Sequence, residues 1–224
     1  MPFLNRNDAG QKLAVYLAKY KNDPNACVIG LPRGGVVVAY EVAKALKLPL
    51  DFLIVRKVGA PGNSEFALGA ITETGEGFFN EEIIAMLRVS KAYIEKACAE
   101  ERDVAARRSD AYRKYRQKIN LKDKTIILID DGLATGATMK ASINALKAGG
   151  AGRIVVAIPV ASRYTFEDIK RMSDEAIAIE LPANFWAVGQ VYRDFCQTTD
   201  DQVIEILYSA RPDRSILAKK NPRD

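Results

Sequence analysis

Apolar residues recur along the chain in short blocks, and the blocks alternate between two periods. Cys27-Val28-Ile29-Gly30-Leu31, Asp51-Phe52-Leu53-Ile54-Val55 and Ile126-Ile127-Leu128-Ile129 are nearly continuous apolar runs of strand length. That is the pattern of strands covered on both faces. Residues 153–160 and 176–180 read the same way. Between these runs the apolar positions take helical spacing: Leu13, Leu17 and Tyr20 within 8–20, and Val38, Val42, Ala45 and Leu46 within 36–46. Further helices are expected at 138–148, ended by Gly149-Gly150, at 164–172 and at 201–209. Residues 66–79 are ambiguous, with Ala67-Leu68-Gly69-Ala70-Ile71 legible as a strand beside a mobile loop. Asn80 caps one helix, with Glu81 and Glu82 at its positive end, and Ser90 caps a longer one reaching about residue 116. The segment 80–120 holds no Gly or Pro and reads as a helical insert. Strands alternating with helices predict an α/β fold with a parallel sheet and right-handed crossovers. No internal repeat is present, and the charged tail after residue 211 is expected to be loose.

Composition narrows the chemistry. With 224 residues, 48% hydrophobic and 27% charged, the chain is an ordinary globular one. It can bury roughly 70–75% of its unfolded surface without disulfide or metal staples. The net charge of +5 permits an anionic ligand without specifying one. The sequence has no histidine, which excludes Ser-His-Asp and Cys-His nucleophilic catalysis and His-ligated metals. Chemistry here has to run on carboxylates, Lys, Arg, Tyr, backbone amides and Mg²⁺. The scattered Cys27, Cys98 and Cys196 read as reduced thiols. The first residues lack the apolar core of a signal peptide, and no apolar stretch approaches the roughly 20 residues that span a bilayer. The expectation is a cytoplasmic protein with no membrane association.

Three unusual loops fall at the carboxyl ends of expected strands, where open parallel sheets bind ligands: 31–35, 56–65 and 130–138. The last is the most informative. Ile129 is followed by Asp130-Asp131-Gly132-Leu133-Ala134-Thr135-Gly136-Ala137-Thr138 and then by a helix. Small residues let backbone amides close on a phosphate; the helix N-terminus adds partial positive charge, and Thr135 and Thr138 add hydroxyls. The adjacent carboxylates of Asp130 and Asp131 can accept hydrogen bonds from sugar hydroxyls; otherwise they are turn and capping residues. The loop is no Walker motif, which needs Gly-Lys-Ser/Thr, and no Gly-x-Gly-x-x-Gly follows a strand.

An apolar strand, two acids, a short spacer and Thr-Gly-x-Thr resemble the 5-phosphoribosyl-1-pyrophosphate (PRPP) signature of type I phosphoribosyltransferases. The order of elements from Val28 to Glu180 resembles that family too, apart from the insert at about 80–120. The whole chain is most similar to an uncharacterised group of predicted phosphoribosyltransferases. The resemblance implies a doubly wound, mainly parallel five-stranded sheet with helices on both faces and a C-terminal hood at about 181–210, all within one domain. It implies transfer of 5-phosphoribosyl from PRPP to a nucleobase, purine favoured, with release of pyrophosphate, and Mg²⁺ as cofactor. Ala134, Thr135, Gly136, Ala137 and Thr138 are then expected to hold the 5′-phosphate, and Asp130 and Asp131 the ribose hydroxyls, with Mg²⁺ reached indirectly through PRPP. Leu31-Pro32-Arg33-Gly34-Gly35 matches the pyrophosphate loop. Gly34 and Gly35 allow backbone approach there, and Arg33 can neutralise a pyrophosphate oxygen. Arg56-Lys57 resembles the start of the flexible catalytic loop, where Lys57 contacts PRPP; read alone, it is a solvated strand end.

Hypoxanthine-guanine enzymes carry an Asp where this chain has Ala134; adenine enzymes have Ala there and are thought to use a loop Glu, for which Glu65 is the candidate. Read alone, Glu65 is an exposed loop glutamate. Phe185, Trp186 and Val188 match the hood strand, where an aromatic stacks on the base. Asp194 is offset by one residue from the family's hood aspartate, and no lysine matches the reader of a 6-oxo group. A homodimer is expected by analogy.

Between 102 and 124 basic residues outnumber acids, with Tyr112 and Tyr115 among them. This supports a rival reading, a non-catalytic regulator that senses PRPP or a nucleoside monophosphate and binds RNA or DNA through the insert. The same stretch also reads as a solvated face or a lid, and nucleic-acid binding is the less favoured reading.

Overall fold

The computed structural model describes residues 2–114 and 118–210, with the side chains of residues 64 and 65 outside the description. In chain order the elements are α1 (Arg6–Tyr16), a 3-10 turn (Ala18–Tyr20), β1 (Ala26–Gly30), α2 (Gly34–Leu46), β2 (Leu50–Phe52), β3 (Val55–Ala60), β4 (Asn63–Thr72), β5 (Gly77–Phe79), α3 (Glu81–Met86), α4 (Lys91–Arg113), β6 (Thr125–Ile129), α5 (Ala137–Ala148), β7 (Arg153–Val160), α6 (Arg163–Met172), β8 (Glu175–Glu180), a 3-10 turn (Val188–Val191) and α7 (Asp200–Ser209).

Five strands form a parallel sheet in the order β2-β1-β6-β7-β8. Alternate residues explain the two layers of helices. Val28, Ile127 and Val155 pair across the sheet and point to one face, with Leu13 of α1, Val42 of α2 and Val203 of α7. Cys27, Ile126 and Ile154 point to the other, with Met139 and Ile143 of α5 and Ile169 of α6. Both faces are apolar, so the expected continuous hydrophobic runs are what this sheet requires. Burial holds the Cys27 thiol up at about 12, in keeping with an inert core residue.

The second sheet departs from expectation. The sequence pattern makes residues 56–65 a loop and 51–55 one strand. Instead β2 stops at Phe52, and Val55 opens an antiparallel hairpin, β3-β4, that β5 extends. Of the glycines that read as loop breakers, Gly59 lies within β3, while Gly62 makes the hairpin turn with φ +76°. A Cβ on Gly69 would fall 2.3 Å from the Phe78 carbonyl, so this close strand approach needs glycine there. The hairpin rests on α5, where Asn144 donates to the Gly77 carbonyl at 3.1 Å.

The insert forms the two expected helices, capped by the side chains of Asn80 and Ser90. Its long helix does not project into solvent. Arg56 of β3 pairs with Glu101 at 2.7 Å, and the Tyr93 hydroxyl donates to the Gly59 carbonyl at 3.2 Å. Tyr112 is buried edge-on against Phe52, and Arg113 ion-pairs with the buried Asp51. Of the residues that suggest a nucleic-acid surface, Tyr112 and Arg113 are thus used inside the protein, Arg107, Lys118 and Lys122 are exposed, and Tyr115 lies outside the described residues. No helix among the described residues is long and apolar enough to cross a membrane.

Candidate active site

In this strand order the connections leave β1 and β6 in opposite directions, which opens a crevice between their carboxyl ends. Two of the three candidate loops meet there. The Leu31 N–H donates to the Ile129 carbonyl at 2.9 Å, joining the loop after β1 to the end of β6. The first turn of α2 then lies on the paired acids. A Cβ on Gly35 would sit 2.8 Å from the Asp130 Cα, and one on Gly34 would sit 1.9 Å from Asp131 Oδ2. Gly34 and Gly35 are therefore demanded by the acids themselves. The Pro32–Arg33 peptide bond is cis.

The turn after Asp131 is braced from below. The Leu133 N–H donates to the Val160 carbonyl at 2.8 Å, and its own carbonyl accepts from the Ser162 N–H at 3.2 Å. The Thr165 hydroxyl, from the first turn of α6, donates to the Ala134 carbonyl at 2.7 Å. Gly136 has φ +78° and turns the chain into α5. Among the described residues, none accepts from the backbone N–H groups of residues 134–138, and none bonds the hydroxyls of Thr135 or Thr138. Ala134 and Thr135 are exposed. Hydrogen bonds among the described residues therefore do not close the turn, although the Thr165 methyl packs at Gly136. The turn presents a set of unpartnered donors at the positive end of a 12-residue helix, a ready anion cradle.

The acids differ in surroundings. Asp131 Oδ2 accepts from Arg6 Nε at 2.7 Å. Burial, followed by the negative charge of Asp131, pushes the Asp130 carboxyl well above the ordinary carboxylate range, with Arg6 pulling the other way. Asp130 Oδ1 also accepts from the Asp131 N–H at 2.9 Å. These are hard oxygen donors of the kind Mg²⁺ takes. No cluster of three or more Asp, Glu, Cys or His suited to a metal exists among the described residues.

The remaining candidates are placed as follows. Arg33 lies 3.9 Å from Asp200 of α7; the same carboxylate meets Arg108 at 3.4 Å and accepts from the Tyr112 hydroxyl. The insert thus abuts the loop after β1. Lys57 is exposed on β3. Glu65 has its backbone on β4, just past the hairpin turn, and its side chain lies outside the described residues. Phe185 packs against the cluster of Phe3, Val160 and Tyr192. A Val188 methyl lies 2.3 Å from where a Gly132 Cβ would be, so Val188 covers the acid loop. Trp186 is 88% exposed.

Three site neighbours carry no signal in the sequence: Arg6, Thr165 and Tyr192, whose hydroxyl donates to the Asp131 carbonyl at 2.7 Å. Arg6 stands 125 positions from Asp131 and Tyr192 stands 61 away, so no local spacing could flag them.

Comparison with known proteins agrees with this geometry. The family model for the phosphoribosyl transferase domain matches residues 5–195. Two Mycobacterium tuberculosis proteins, from strains CDC 1551 and H37Rv, each provisionally named a phosphoribosyl transferase, are 40% identical over 94% of this chain. The chain spans 47% of the length of those relatives. The crystal structure of TT1426 from Thermus thermophilus is 44% identical, with a TM-score of 0.81, and the match covers 95% of this chain and 100% of that one. The family-model match spans most of the chain, and the chain belongs to the phosphoribosyl transferase domain family.

Proposed function

We propose that this chain transfers 5-phosphoribosyl from PRPP to a nucleobase, purine favoured, and releases pyrophosphate. The observation that carries the reading is the turn of residues 134–138, beside the paired acids, whose amides have no acceptor among the described residues and whose Ala134 and Thr135 are exposed. In this reading Ala134, Thr135, Gly136, Ala137 and Thr138 hold the 5′-phosphate, and Asp130 and Asp131 hold the ribose hydroxyls. Arg33, Gly34 and Gly35 receive the pyrophosphate, with Lys57 closing from the hairpin. When bound, Mg²⁺ neutralises charge on the departing pyrophosphate. Positive charge develops at ribose C1, and in this reading the paired carboxylates balance it. The hairpin excludes water, since hydrolysis of PRPP is the competing reaction. Phe185 and Val188 form the inner side of the hood, and Trp186 stacks only if the hood moves, given its exposure.

The enzymatic reading is favoured over the nucleic-acid-binding regulator by one observation: Arg108, Tyr112 and Arg113 of the insert are engaged within the protein. Two features of the proposal come from the family and composition alone, a homodimer and a cytoplasmic setting.

The test is a screen of nucleobases with PRPP and Mg²⁺, read as base-dependent pyrophosphate release. Silence across purines and pyrimidines, with salt-sensitive RNA or DNA binding instead, would reverse the choice between readings. Within the enzyme reading, Glu65→Gln is expected to lower kcat by roughly 100-fold, the scale of general acid–base catalysis, with PRPP affinity unchanged. Wild-type turnover in that variant removes Glu65 from the mechanism.

A further inference from the structure

We propose that Arg6, the first residue of α1, is a positioning residue for the ribose site, holding the Asp131 carboxylate in the orientation that receives PRPP. The inference rests on the PRPP reading above and adds a residue from outside the signature loops. Three contacts fix the Arg6 guanidinium. Its Nε donates to Asp131 Oδ2 at 2.7 Å, its Nη1 donates to the Cys196 carbonyl at 2.7 Å, and its plane covers the Phe195 ring, with Cζ 3.9 Å from the ring centroid. The side chain is largely buried, at 12% exposure, as is its Asp131 partner at 16%. Asn5 caps α1 by accepting from the Asp8 N–H at 3.0 Å, and so anchors the backbone from which Arg6 projects.

The geometry around the pair is restrictive. A Cβ on Gly34 would fall 2.6 Å from Arg6 Nε as well as 1.9 Å from Asp131 Oδ2, so the pyrophosphate loop is shaped around this ion pair. Tyr192 holds the Asp131 backbone from the hood side, donating to its carbonyl at 2.7 Å. The planar fork of Arg6 therefore joins the N-terminal helix, the strand-end acids and the C-terminal segment at one carboxylate. A lysine could keep the charge and the contact to Asp131 while giving up the tether to Cys196. Asp131 still has lone pairs beyond the one Arg6 occupies, so the contact orients the carboxylate and leaves it able to accept from a sugar hydroxyl.

The test is calorimetric titration of Mg²⁺-PRPP, without base, into wild type, Arg6→Gln and Arg6→Lys, with thermal midpoints measured in parallel. Leaving the base out removes any effect of the hood on acceptor binding. The expected result is a loss of PRPP affinity of roughly tenfold or more in Arg6→Gln, the scale of one charged hydrogen bond, largely recovered in Arg6→Lys. Unchanged affinity in Arg6→Gln overturns the proposal. Equal losses in both variants overturn it as well, because the loss would then track the tether to Cys196 and not the charge on Asp131. Should Arg6→Gln fail to fold, Arg6→Ala replaces it; added guanidinium ion at low concentration is then expected to restore PRPP binding, and failure to restore it counts against the proposal. A wild-type protein that does not bind PRPP refutes the parent reading, a result visible before any variant is compared.

Discussion

The double variant D130N with D131N loses PRPP binding. Each acid is expected to accept from a ribose hydroxyl, and hydrogen bonds to charged groups contribute roughly 1.5–3 kcal/mol each. Losing two costs roughly 3–6 kcal/mol, at least about a hundredfold in affinity. The change is nearly isosteric, and the carboxyl ends of β1 and β6 keep their backbone pairing, so the fold survives. Burial first, and then the nearby Asp131 charge, drive the Asp130 carboxyl upward, so a neutral amide there relieves both and favours the folded state at that residue. At Asp131 the balance differs, because the Arg6 ion pair goes. Calorimetry with Mg²⁺-PRPP, alongside far-ultraviolet circular dichroism, decides the matter. Undiminished affinity in a folded variant removes the ribose assignment, and with it the reading of the whole loop.

The second large effect is on stability. Asp51, on β2, is 2% exposed, and its carboxylate is held by Arg113 and by the N–H groups of Phe52 at 2.8 Å and Ile119 at 3.0 Å. Arg113→Met removes the cation that pairs with that buried charge. Breaking a buried pair from one side costs about 3–5 kcal/mol, because the other charge is left without its partner. The two backbone donors remain, so the low end of about 3 kcal/mol is expected. For a chain of this size that lowers Tm by roughly 6–12 °C. Adding Asp51→Asn to Arg113→Met recovers part of the loss, since a neutral amide needs no cation. A fall in Tm no larger than that of an exposed substitution would show that solvent reaches Asp51 readily, and that the insert does not brace the sheet.

That second prediction cannot be written from the sequence. Arg113 is legible there only as one of many cations in a basic stretch, and Asp51 only as the first residue of an apolar run. Their pairing depends on α4 folding back across the end of β2, which a helix pattern of 23 residues does not reveal. The hairpin β3-β4 escapes for a related reason. Gly59 signals a loop when read locally, but in the folded chain it lies within a paired strand, and Gly69 of the partner strand permits a close approach to β5. The cradle of residues 134–138 is legible because all of its working parts are consecutive. The strand, the acids, the small residues and the helix start act through their own backbone, so order along the chain already states the geometry.

The sequence alone determined the alternation of strand and helix, the two-faced burial of the sheet and the small-residue loop between paired acids and a helix start, because each depends on residues near one another along the chain. Only the tertiary structure decided that Arg6 grips Asp131, that α4 braces the hairpin and α7, and that Gly34 yields its side chain to an ion pair. Those contacts join residues brought together by the crossovers and by the bridge between Phe3 and Tyr192. Their energies come from burying charges beside one particular partner, and nothing in local spacing specifies which partner that is.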